Sequence, residues 1–168
     1  ASGCTIYTEN DGVGYFDKNF SLSITKQGSD YIPPSGVSAG PMQAVAVATI
    51  KDVKSTGTDG GTFTSGAWQT RDLNTISGSG FASLSSNQIT LQKGTYEIES
   101  SAPAQQVNRH QSRLYDVTNA LEIERGSNQY MPLDHTSNSL IKCTITVGVT
   151  TVYEIQHQCQ TTIASHGY

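Results

Sequence analysis

Ile141-Lys-Cys-Thr-Ile-Thr-Val147 alternates apolar and polar side chains, and after Gly148 the run Tyr153-Glu-Ile-Gln-His-Gln-Cys159 alternates again. A period of two marks a strand with one face buried and the other wet. Two such runs about a glycine predict a β-hairpin whose odd-numbered side chains point inward. On that register Cys143 sits opposite roughly Ile155, which disfavours a disulfide to Cys159. Both cysteines therefore read as small buried hydrophobes, with a bridge between them as the lesser alternative. With Cys4 they make three scattered cysteines, too few for a disulfide framework.

Upstream, strand signals recur at regular spacing from residue 43 onward, the pattern of sandwiches and barrels. Residues 44–50 form a continuous apolar run, expected to be a strand buried on both faces. Residues 56–62 form a Gly/Thr/Asp loop, and 67–76 resume an extended pattern around the only tryptophan, Trp68. Residues 88–91 and 95–100 flank a short Lys93-Gly94 turn. Residues 105–117 alternate around Val107, Leu114 and Tyr115, and Asn119 punctuates before 121–123.

The N-terminal part differs. Strand-like pieces such as Phe20-Ser-Leu-Ser-Ile24 are broken by Asp11-Gly12, Gly28 and Pro33-Pro34. Two prolines remove two backbone donors and bias the preceding residue to extended geometry, so residues 29–41 read as a linker. The expected division is an N-terminal attachment or shaft segment, 1–42, short and β-rich, followed by one β-domain, 43–168. Neither a heptad nor a Gly-X-Y repeat marks a stalk. The chain starts at Ala1 without Met, as a processed chain or a piece of a longer one would.

Composition supports the all-β reading. Hydrophobic residues are 35% and charged residues only 14% of the 168, and the apolar set is rich in Val, Ile, Tyr and Phe, which suit a pleated surface. A net charge of -4 with dispersed Lys and Arg argues against a phosphate-tracking nucleic-acid surface. No run approaches the roughly 18 apolar residues of a membrane span, and the N-terminus lacks signal-peptide character. A soluble chain without nucleic-acid or membrane partners is expected.

Catalytic and metal motifs are not apparent. There is no Gly-x-Ser-x-Gly elbow, no His-Glu-x-x-His and no Walker loop; the glycines at 57–61 serve turns. Dispersed carboxylates point to no glycosidase pair, so a non-enzyme is expected. His157 and Cys159 share a strand face and have zinc-ligand chemistry, yet a buried hydrogen-bonded pair is the preferred reading. Asp59 and Asp134 lie in polar loops without the dense acidic spacing of a calcium site. No cofactor or metal is expected.

Candidate recognition residues lie in the loops 56–64, 77–80 and 125–137, because a rigid sandwich lets its connections vary. In the last, Asn128, Gln129, Tyr130 and His135 combine amide and aromatic groups suited to carbohydrate or protein surfaces. Asn108-Arg109-His110 interrupts the apolar pattern, and Arg109 or Arg113 is expected to pair with Asp116 or with a neighbouring protomer's carboxylate. Trp68 reads as core or subunit interface ahead of a sugar-stacking platform. Trp68, Arg109, His110, Arg113 and Tyr115 are thus the candidate inter-subunit or structural set.

Five blocks carry a resemblance. Gly60-Gly-Thr-Phe-Thr-Ser-Gly-Ala-Trp-Gln-Thr-Arg-Asp-Leu-Asn-Thr75, Ser85-Ser-Asn-Gln-Ile-Thr-Leu91 with Gly94-Thr-Tyr96, Ser101-Ala-Pro-Ala104, Val107-Asn-Arg-His-Gln-Ser-Arg-Leu-Tyr-Asp-Val-Thr118 and Glu154-Ile-Gln-His-Gln-Cys-Gln-Thr-Thr162 resemble segments of tailed-phage structural proteins. Together they span roughly residues 44–168. Such modules are similar to the jelly roll of the complement C1q and tumour-necrosis-factor type, so the resemblance implies that β-sandwich and a homotrimer. Those modules run on into a final Val/Tyr-rich strand where this chain stops at Tyr168. The resemblance therefore implies either a missing last strand or an N-terminal strand that closes the sheet.

The function implied is that of a virion protein, a tail-fibre or spike knob that binds a host-surface glycan or protein while its N-terminal segment joins other virion proteins. Three copies would raise apparent affinity by avidity. The alternatives are a purely structural virion part (head decoration, collar fibre or adaptor), in which Phe16, Phe20 and Tyr31 would be buried against neighbours, and a secreted C1q-like binding protein.

Overall fold

Among the described residues the alternating runs become twelve strands and no helix. A computed structural model describes residues 20–27, 46–78, 80–132 and 135–168; the expected linker, Cys4, Phe16, Tyr31, Asp134 and the Phe20 side chain lie outside what is described. In chain order the strands are β1 (Phe20–Gln27), β2 (Ala46–Asp52), β3 (Gln69–Thr70), β4 (Thr75–Gly78), β5 (Ala82–Ser85) and β6 (Gln88–Leu91). They continue as β7 (Gly94–Gln105), β8 (Asn108–Asp116), β9 (Leu121–Arg125), β10 (Gln129–Met131), β11 (Thr136–Val147) and β12 (Thr151–Cys159).

All strand pairs are antiparallel, in two sheets that pack face to face as a β-sandwich. One sheet runs β11-β7-β1-β2-β4. The other runs β10-β8-β12-β6-β5, with β9 beside β8 and β3 beside β12. The longer strands each turn one row of side chains inward. Leu22 and Ile24 of β1, Ala48 and Ile50 of β2, Tyr96 and Ile98 of β7 and Ile141 and Val147 of β11 meet Ile89, Leu91, Leu114, Tyr153 and Ile155 of the facing sheet. Tyr96 is fully buried, and its hydroxyl donates to the Gln92 carbonyl at 2.7 Å, as a buried phenol requires.

The turns follow from their residues. Ser86 and Asn87, with φ of 50° and 65°, make the two-residue β5–β6 hairpin, a conformation that Asn tolerates well. The Asn87 side chain also accepts from Leu73 N (3.0 Å) and donates to Asp72 (3.2 Å), tying the hairpin to the segment before β4. After β8, Asp116 accepts from Asn119 N (2.9 Å) and Nδ2 (2.8 Å), which closes the turn into β9.

Several sequence expectations are corrected. Residues 141–147 and 153–159 are not a hairpin: β11 pairs with β7, and β12 with β8, β6 and β3. They lie in opposite sheets, and alternation records only that a strand has one buried face, not which strand lies beside it. The run 44–50 is not buried on both faces, for Val47 of β2 is 43% exposed. The expected loop 125–137 contains β10, in register with β8 as Tyr130↔Arg109, and Met131 is buried. Asp116 pairs with neither arginine, since the turn uses its carboxylate. Cys143 and Cys159 are free thiols, the first half-buried and the second buried.

The division at residue 42 also changes. β1, from the segment expected to be an attachment, is an inner strand of the first sheet between β7 and β2. An N-terminal strand therefore belongs to the sandwich. No helix among the described residues is long and apolar enough to cross a membrane. Replacing Ile24 by Ala should cost about 2–5 kcal/mol of folding free energy, as for other buried Ile→Ala changes. A denaturant midpoint unchanged by Ile24→Ala would place β1 outside the core.

Candidate functional site

Because β8 and β12 bury alternate residues, their other residues form the outer face of the second sheet. β8 presents Arg109, Gln111, Arg113 and Tyr115; β12 presents Glu154, Gln156 and Gln158. Register sets Gln158 beside Gln111, Gln156 beside Arg113 and Glu154 beside Tyr115. Long polar side chains thus stand in two matched rows.

Arg113 organises one end of this face. Its guanidinium lies 4.2 Å from the centre of the Trp68 ring and 4.7 Å from that of Tyr115. The same group donates to Gln156 Oε1 from Nε (2.9 Å) and Nη2 (2.6 Å), and to Glu122 Oε2 from Nη1 (3.0 Å). Arg125 grips the other Glu122 oxygen at 2.6 Å. The hydrogen bond from Arg125, joined by that from Arg113, outweighs desolvation and holds the Glu122 carboxyl below its ordinary value. Burial works to raise the Glu154 carboxyl, but hydrogen bonds from Gln156, Gln88 and Thr70 prevail and lower it. Donors and acceptors are therefore matched into one rigid network.

At the other end, Arg109 lies 5.3 Å from the centre of the Tyr130 ring and donates to Gln160 Oε1 at 3.3 Å. Tyr130 is 63% exposed. An open depression of about 420 Å³ lies here, with Gly66, Arg109, Gln111, Asn128, Gln158 and Gln160 in its lining. Amide groups, each both donor and acceptor, dominate it.

Beneath the depression is a polar layer between the sheets. Ser112 of β8 donates from its backbone to Ser139 Oγ of β11 at 2.9 Å, and Ser139 Oγ donates to the Ser127 carbonyl at 2.7 Å. This pulls residues 126–128 close. A Cβ on Gly126 would stand 2.5 Å from Ser112 Oγ and 2.7 Å from Ser139 Oγ. Gly126→Ala should therefore destabilise the fold by about 1–3 kcal/mol through overpacking. A midpoint shift in chemical denaturation measures it, and an unchanged midpoint would show that the layer yields.

His110 and His157 lie in the same layer, both nearly free of solvent, with His110 Nδ1 2.9 Å from His157 Nε2 and His110 Nε2 2.8 Å from Ser137 Oγ. His157 Nδ1 has no hydrogen-bond partner among the described residues. Burial first, and then the nearby Arg71, lower both pKa values, that of His110 to about 4. Both rings are neutral in the fold. In the unfolded chain they take up protons below about 6.5, so folding stability is full above that pH and falls as pH drops from about 6.5 toward about 4. Denaturant midpoints recorded from pH 7.5 to 4 should decline throughout that window. A flat profile with loss only below 4.5, where Glu122 and Glu154 act, would assign acid lability to the carboxylates.

The structure thus gathers Trp68, Arg109, Arg113, Tyr115, Asn128 and Tyr130 on one face. Gln129 is half-buried, donating to Ser127 Oγ (2.9 Å), and His135 is exposed just before β11. Trp68 is half-exposed against Arg113, outside the core, and His110 faces inward. Gln111, Glu154, Gln156, Gln158 and Gln160 were not singled out by sequence. Their signal was the polar half of each alternation, which reads simply as solvent-facing. His157 and Cys159 do share an inward face, but no group of three or more His, Cys, Asp or Glu side chains placed to hold a metal occurs among the described residues. The site defines the class as a β-sandwich with an aromatic, arginine and amide face. The chain matches no protein-family model, no curated protein and no solved structure.

Proposed function

We propose that this chain is a homotrimeric virion module of a tailed phage that binds host-surface carbohydrate through the outer face of its second sheet. The observation that carries the binding reading is the ordered array from Trp68 and Arg113 to Arg109 and Tyr130 beside an amide-lined depression. Sugars present apolar ring faces and many hydroxyls, so they suit aromatic planes flanked by groups that donate and accept. Locked side chains lose little rotamer freedom on binding. The five sequence blocks support the virion assignment. Chain links that cross between the sheets, from β6 to β7, β7 to β8 and β11 to β12, support a jelly-roll reading of the sandwich. Trimerisation would add avidity to weak individual sites, and the N-terminal residues would attach to other virion proteins.

Titration of the intact chain against purified host-surface polysaccharide tests this. Tyr130→Ala and Trp68→Ala should each weaken binding about 2- to 10-fold per site, the worth of one aromatic contact. Circular dichroism would check that Tyr130→Ala, an exposed position, leaves the fold unchanged. Absence of binding, or binding indifferent to both substitutions, would sink the carbohydrate reading and favour a purely structural virion part.

A further inference from the structure

β1 enters the sandwich differently from the other strands. Lys26 stands opposite Ala46 in the β1–β2 register, so the chain leaves β1 and re-enters at β2 almost where it left. Antiparallel neighbours need a link of only about two residues. Here eighteen residues, 28–45, join Gln27 to Ala46. Extended at roughly 3.3 Å per residue, a link of that length reaches about 60 Å, well beyond one sandwich. From β2 to β12, by contrast, each strand follows its predecessor within one continuous body of 114 residues, from Ala46 to Cys159.

The place β1 fills is also well defined without it. β2 pairs with β4 on its far side and β7 with β11, so both flanks are anchored independently. Between them lies a slot one strand wide, whose two walls offer backbone donors and acceptors along their length. Its floor is apolar: Ala48 and Ile50 on one side, Tyr96 and Ile98 on the other, all buried. β1 matches the slot through inward Leu22 and Ile24 and outward Ser21, Ser23 and Thr25. Any copy of this segment would make the same contacts, whichever chain it comes from.

We propose that the slot between β2 and β7 is an assembly site, and that in the assembled protein it receives the Phe20–Gln27 strand of a second copy of this chain. Exchange conserves every ladder bond and core contact, so the choice of donor rests on proximity, and the eighteen-residue link lets a strand reach its neighbour. The edge that would otherwise be open to aggregation is covered in every copy. This inference is independent of the carbohydrate reading.

Two full-length variants test it, each with Cys4→Ser: one carries Ser23→Cys, the other Glu99→Cys. Ser23 and Glu99 are register partners on the exposed face, and Glu99 loses only a surface ion pair to Lys142. The variants are unfolded together, refolded as a mixture at assembly concentration, oxidised, and run on a denaturing gel without reductant. Exchange in an equal mixture predicts that about half of the chains, the limit set by random mixing of the two variants, appear as covalent heterodimers. A second mixture, Ser23→Cys with Thr49→Cys, reads the other flank and stands in if the Glu99 variant does not fold. Single chains only, with the double variant Ser23→Cys/Glu99→Cys crosslinked within itself, would overturn the proposal. No crosslink at either flank would overturn it too, because β1 would then not occupy the slot.

Discussion

An inner strand must satisfy two rows of backbone groups at once, and that requirement at β1 governs this fold. Buried amides and carbonyls left without partners are costly, so the sheet on either side of β1 is continuous only while the slot is filled. Leu22 and Ile24 add the apolar half of the argument, since they complete a layer begun by Ala48 and Ile50 and continued by Tyr96 and Ile98. The first sheet is thus one surface assembled from distant pieces of chain. The second sheet packs on that surface and takes its shape from it.

The outer face of the second sheet depends on the same packing at one remove. Arg113 is held between Trp68 and Tyr115 because Gln156 and Glu122 use its fork of donors, and those partners are aligned by the β8–β12 register. That register is set from below, where Leu114 and Ile155 are buried against the first sheet. At the other end, the Ser112–Ser139–Ser127 chain of hydrogen bonds and the bare Cα of Gly126 bring residues 126–128 down onto the sandwich. A face presented by strands is stiffer than one presented by loops, which favours a preorganised surface.

A polar layer inside a sandwich has a cost, and here it is concentrated at His110 and His157. The pair shares one hydrogen bond and leaves His157 Nδ1 without a partner among the described residues. The layer is closed at that end by Phe63, which stacks on Tyr168 at 4.3 Å, and by Arg71, whose guanidinium is 4.3 Å from the Tyr168 ring centre. Burial lowers the Arg71 pKa to about 10, which still leaves it charged at neutral pH and disfavours protonation of both histidines. Specific polar contacts here align the sheets at the depression, while apolar packing alone aligns them elsewhere.

By itself the sequence determined the class: β-branched and aromatic residues at period two, with Gly, Asn and Pro between them, admit only strands and turns. It also determined which side of β11 and β12 is buried, and it marked Trp68, Arg109, Arg113, Tyr115 and Tyr130 as unusual. Which strand lies beside which was left to the tertiary structure. Alternation records that a strand has one buried face and is silent on its neighbour, so β11 and β12 read as a hairpin and lie instead in opposite sheets. β1 could not be placed for the same reason, because its partners in β7 lie far along the chain, from Gln27↔Thr95 to Ser21↔Ser101. Only the packed sandwich decided that Glu154, Gln156 and Gln158 stand beside Tyr115, Arg113 and Gln111, since a shared face is created by strand register, a long-range property that no local run of residues encodes.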